Sequence, residues 1–174
     1  MAGLRYGKGT AGEFLVNATQ SGKGNDAQVL VQAVQKTVVT TAQVLALFAT
    51  PIEIAPAPAT GFANIFRSAG IYKAPGVAYD NIAAGENLAI GYTNAAGLVV
   101  SPEIETAGFL DSTGAQFRWV EKRAVAIAIV GDINPTAAAN LVIKLEDAEI
   151  QTGDSDLIVW CYYDVVPVVQ TVEA

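Results

Sequence analysis

The sequence predicts an all-β protein: a sandwich of about eight strands with one short helix and an extended N-terminal arm. Three observations lead there. From residue 29 onward, apolar stretches of strand length recur at short spacing, separated by Gly, Pro, Asn and Asp clusters. Within this part the segment after Val39 carries a helix start signal, and little else reads as helix. The N-terminal stretch instead has glycines at 3, 7, 9, 12, 22 and 24 and one apolar knot, Phe14-Leu15-Val16. The chain therefore divides into a Gly-rich arm, residues 1–28, and a sandwich domain, residues 29–174. The arm has too few apolar side chains to order alone.

The segment from Lys36 to Pro58 organises the domain. Val38 and Val39 close a first strand that begins near Val29. Thr40 precedes Gln43 by three residues, the spacing of a capping box. Val44, Leu45, Leu47 and Phe48 give a short helix its apolar face, and Pro51 stops it. Ile52 and Ile54 alternate with Glu53 as a strand, which Pro56 and Pro58 end.

Next, GFANIFRSAGIYKA reads as a strand with Phe62, Phe66 and Tyr72 opposed to Ile65 and Ile71. APGVAYDNIAAGEN is turn-rich and reads as a loop. Asn87–Tyr92 is a short strand; Asn94–Gly97 is its hairpin turn, with Gly97 available for positive φ. Leu98–Val100 starts the return. IETAGFLDSTGAQFRWVEK splits into two pieces around a turn at Ser112–Gly114, with Phe109, Leu110, Phe117 and Trp119 all expected in dry places. Ala124–Val130 is apolar on both faces, as a strand buried twice would be. NLVIKLEDAEI and DLIVWCYYDVVPV supply the last two strands, on either side of a turn at Gly153–Ser155. Many short strands with little helix indicate a sandwich or jelly roll.

Charged residues make up 16% of the chain, against about 25% in a typical soluble domain. That deficit points to surface covered in the working state, as at an obligate subunit interface. The net charge is −7. It is unevenly spread: Arg5, Lys8, Lys23 and Lys36 face only Glu13 and Asp26 over the first 36 residues. The acidic remainder is a poor partner for phosphate backbones, so no nucleic acid is expected. No run of 18 apolar residues predicts a membrane span. The start, MAGLRYGKGT, lacks a signal-peptide core, so a protein kept in a cytoplasm or in something assembled there is expected.

Chemistry is sparse. The chain has no histidine, which removes His-based triads and the usual general base near neutral pH. Cys161, the single cysteine, sits in a strand pattern as a buried, inert thiol. Glu146, Asp147 and Glu149 cluster before the turn holding Asp154 and Asp156, but without the EF-hand spacing; a solvated acidic end is expected, with no metal. Gly7-Lys8-Gly9-Thr10 and Gly22-Lys23-Gly24 lack phosphate-loop spacing. Tyr79, Tyr92, Trp119, Trp160, Tyr162 and Tyr163 are candidates for a sugar groove, with core packing the default reading. Tyr162 and Tyr163, being adjacent, face opposite sides of a strand. No catalytic residue and no cofactor are expected.

The runs TTAQVLALFATPIEIAPAP, GVAYDNIAAGENLAIGYTNAAG, TAGFLDSTGA and ANLVIKLEDAEIQTGDSDLIVWCYYDVVP resemble a family of small virion proteins of tailed bacteriophages. The similarity covers roughly Thr37 to Pro167. Its most recognisable pieces, ATPIEIAPAP from Ala49 and IQTGDS from Ile150, are turns and strand ends. The resemblance implies a jelly-roll-like cement or decoration protein, not an enzyme. It would sit as a homotrimer on the outer surface of a phage head assembled in the host cytoplasm, against the major capsid protein. The alternative is a carbohydrate- or receptor-binding jelly-roll module of a fibre or tail. The arm's Leu4, Arg5, Tyr6, Lys8, Phe14, Leu15 and Val16 are expected to make capsid or inter-subunit contacts.

Overall fold

The computed structural model describes residues 31–80, 82, 86–123 and 138–167. Within them the chain is an all-β sandwich of eight strands in two antiparallel sheets, with one short helix. The elements are β1 (Val31–Val39), α1 (Thr41–Leu45), β2 (Ile52–Ala55), β3 (Phe62–Lys73), β4 (Asn87–Tyr92), β5 (Ile104–Glu105), β6 (Gln116–Glu121), β7 (Leu141–Leu145) and β8 (Leu157–Pro167). One sheet has the order β1-β8-β3-β6 and the other β2-β7-β4-β5. The pairing is nested: first with last, second with seventh, third with sixth, fourth with fifth. The N-terminal arm and the apolar stretch Ala124–Val130 lie outside the described residues.

The core forms between the sheets. Ile54, Leu88, Ile90, Leu141 and Ile143 project from one sheet; Phe66, Ile71, Val159 and Cys161 project from the other. One end is closed by α1. The side chain of Gln43 accepts a hydrogen bond from the Thr40 N–H at 2.9 Å, as the capping-box spacing predicts. Val44 and Leu47 then turn into the core. Asp156, just before β8, accepts from the Thr41 N–H at 2.8 Å and so ties the helix start to the other end of the chain.

Several local expectations are corrected. Phe66 and Ile71 do not oppose each other: both face the core, because a bulge between Phe66 and Ser68 resets the alternation of β3. Tyr72 therefore faces outward. The positive φ in the turn after β4 belongs to Thr93 (66°), not Gly97. Gly97 is required for a different reason: a Cβ there would stand 1.5 Å from the Tyr92 carbonyl oxygen. Leu98–Val100 forms only a bridge, Gly91 with Val99. All five residues of β7 are buried, including Lys144, whose ammonium donates to the Ala95 carbonyl at 2.6 Å.

Candidate functional site

An antiparallel sheet with one wet face should carry polar residues on its outer side. On the β1-β8-β3-β6 sheet apolar and aromatic residues outnumber them. In β8, Leu157, Val159, Cys161 and Tyr163 point into the core, so Ile158, Trp160 and Tyr162 point out. Register extends this outer set across all four strands. One rung runs Val38–Ile158–Tyr72–Phe117. The next runs Lys36–Trp160–Gly70–Trp119. A third runs Val34–Tyr162–Ser68–Glu121.

The result is a broad aromatic face. Val38 is 50% exposed, Phe117 51% and Trp119 52%. Gly70 makes the face flat: a Cβ there would lie 2.9 Å from the Phe117 ring and 3.3 Å from the Trp119 ring, so both rings lean inward over β3 from the β6 edge. Trp119 meets Tyr162 at 5.6 Å between ring centroids, tilted by 52°. Lys36 lies 5.9 Å from the centre of the Trp160 ring, a loose cation–π contact.

Formal charge on the face is confined and balanced. At the β3 bulge Arg67 forms an ion pair with Asp164, whose carboxylate is nearly buried. Lys36 lies on the β1 edge and Glu121 on the β6 edge. An exposed apolar face of this kind is the sort of surface on which proteins, membranes or ligands dock.

The expectation that Phe117 and Trp119 lie in dry places is corrected, while Phe109 and Leu110 are fully buried. Val120 takes the inward position on β6, which places Phe117 and Trp119 outside. Among the described residues β8 carries apolar side chains on both of its faces. Its run LIVWCYYDVV carried that signal in the sequence, since no alternation interrupts it before Asp164.

The other candidates are absorbed by the fold. Tyr79 is buried and its hydroxyl donates to the Ser155 carbonyl; Tyr92 is buried and donates to the Asn64 carbonyl. Burial pushes both phenols up to about 12. Cys161 is buried between the sheets, and desolvation raises its thiol to about 12. Tyr162 and Tyr163 do face opposite sides.

At the acidic end, Asp154 accepts from the Val77 N–H and Asp156 from Thr41, so both carboxylates organise backbone. Among the described residues no group of three or more potential ligands could hold a metal ion. Glu86 is buried, with one oxygen facing the Asp147 N–H at 3.4 Å and the other without a partner among the described residues. Desolvation raises its pKa above 4.5. Leu4, Arg5, Tyr6, Lys8, Phe14, Leu15 and Val16, the expected contact residues, lie outside the described residues. Comparison with protein families, curated proteins and solved structures finds no match for this chain.

Proposed function

We propose that this chain is a structural subunit of a virion, a jelly-roll cement protein that binds the outer surface of a phage head as a homotrimer. The observation that carries the reading is the aromatic outer face of the β1-β8-β3-β6 sheet, whose few charges balance. A subunit with such a face is built for an assembled state. The nested pairing of strands, 1 with 8 through 4 with 5, supports the jelly-roll assignment. The resemblance of Thr37–Pro167 to small phage virion proteins supplies the virion and the major capsid protein as partner.

The reading involves no catalysis. The most reactive side-chain type in the body, the thiol of Cys161, is sealed in the core, and Asp154 and Asp156 of the acidic turn accept from backbone N–H groups. The exposed aromatics lie mid-strand among apolar neighbours. A sugar platform on a fibre or tail would instead set an aromatic ring beside amides and carboxylates at a loop end, so burial by protein is favoured over a glycan.

Electron microscopy of the particle that carries the chain tests this. The expected result is three-fold density on the outer surface of the head, bridging major-capsid subunits. Labelling of tail or fibre alone refutes the cement role.

A further inference from the structure

We propose that copies of this chain meet around a three-fold axis parallel to the strands of the β1-β8-β3-β6 sheet. The aromatic faces turn inward, and β1 of each copy lies against β6 of the next. This inference rests on the trimeric reading above and adds the interface and its register.

The two edges of the sheet are matched at equal height. Register places Val38 and Phe117 on one rung, Lys36 and Trp119 on the next, and Val34 and Glu121 on the third. Rotation about an axis along the strands preserves height. Each corner of the trimer therefore brings Val38 to the Phe117 of the next copy and Lys36 to its Trp119, with Glu121 one rung away. Half-exposed apolar groups on opposite edges, which cannot meet within one chain, then cover each other. The single cation of the β1 edge also approaches the carboxylate of the β6 edge. Adjacent strands of the sheet run antiparallel throughout, so β1 and the neighbouring β6 continue that alternation.

Width and side-chain size select three copies over two. Four strands at about 4.8 Å spacing, joined at the corners at the same spacing, make a triangle of side about 24 Å, whose faces lie about 7 Å from the axis. Two sheets stacked face to face leave only about 5 Å to each. The central strands carry Trp160, Tyr162 and Tyr72 outward, side chains long enough to fill the deeper space. The rings of Phe117 and Trp119 lean over Gly70, which makes room beside them at the narrow corners for Val38 and Lys36 of the next copy. The face occupies roughly 19 Å by 20–30 Å, or about 400–600 Å² as a flat area per copy, the scale of a small interface to which the relief of the side chains adds.

The test is a cross-link. Val38 and Phe117 sit on opposite edges of one sheet, about 14 Å apart at three strand spacings. A disulfide needs Cα atoms within about 7 Å, so the pair cannot close within one chain. The full chain is made with Val38→Cys and Phe117→Cys together, and with each alone, under oxidising conditions. Light scattering of the unsubstituted protein is run in parallel. The expected result is a trimer in solution, with covalent dimers and trimers, and nothing larger, only from the double variant. A trimer without this cross-link overturns the interface and leaves the trimeric cement reading standing. A monomer overturns both. A cross-link that closes at the dimer overturns the three-fold arrangement.

Discussion

Gly70 and Trp119 face each other across β3 and β6, and the indole lies where a side chain on Gly70 would reach: an added Cβ would be 3.3 Å from the ring. The glycine thus shapes the aromatic face without touching the core, which is on the other side of the sheet. Glycine within a strand costs about 0.5–1 kcal/mol relative to alanine, so its presence here favours surface shape over strand stability. Replacing it by valine should leave the folding free energy within about 1 kcal/mol of the parent. It should also lift the Phe117 and Trp119 rings off the sheet and weaken self-association by at least about tenfold, or about 1.4 kcal/mol. Denaturant melts alongside sedimentation equilibrium measure the two effects separately. Unchanged association would mean that the face takes no part in it.

The fold was legible in the sequence to the extent that alternation was local. β2, with Ile52 and Ile54 inside and Glu53 out, and β7 both declare themselves, as does the cap of α1. The site was less legible. On β6 the local pattern Gln-Phe-Arg-Trp-Val-Glu suggests aromatics inward, and only pairing with β3 shows that Val120 holds the core position opposite Ala69. On β3 a single bulged residue reverses the facing of everything beyond it. Side-chain facing there depends on partners a hundred residues away, which periodicity cannot see.

The ion pair at the bulge makes a second prediction. Asp164 is nearly buried, and Arg67 reaches it from a partly exposed position. Arg67→Ala leaves a desolvated carboxylate without its partner, at a cost of about 2–3 kcal/mol. The added substitution Asp164→Asn should recover more than half of that, because it removes the stranded charge while keeping the shape. Equal losses in the single and double variants, measured in urea, would show that the pair contributes nothing specific.

Alkaline pH should unfold the domain. Cys161 is raised from 9.0 to about 12, and Tyr79 and Tyr92 from 10.0 to about 12, all chiefly by desolvation. In the unfolded chain these groups lose protons near their ordinary values, while the fold keeps them protonated until about 12. The unfolded state therefore binds fewer protons across that window, and stability falls as pH rises from about 9. Thiol reagents should label native Cys161 slowly at pH 8, and quickly in denaturant. Rapid native labelling, or a flat melting temperature from pH 8 to 11, contradicts the burial of these three groups.

Glu86 gives the opposite end of the pH scale. Its carboxyl is buried, one oxygen has no partner among the described residues, and burial raises its pKa above the ordinary 4.5. The backbone N–H groups of Asp147 and Ala148 act against that shift, and the charge of Asp147 adds to it. Burial thus favours the neutral form more in the fold than in the unfolded chain. Stability linked to this group is complete below the unfolded pKa of 4.5 and is lost as pH rises through the higher folded value. Glu86→Gln makes the neutral state permanent and keeps an oxygen for the Asp147 N–H. Its unpaired amide costs part of the gain, so the net effect at pH 7 should be a stabilisation of up to about 1 kcal/mol. The advantage should vanish by about pH 4, where the parent carboxyl is itself protonated. Thermal melts of parent and variant from pH 4 to 8 give the comparison. A difference that stays constant across the series would mean that Glu86 does not titrate in the fold, and that its buried oxygen is satisfied in its charged form.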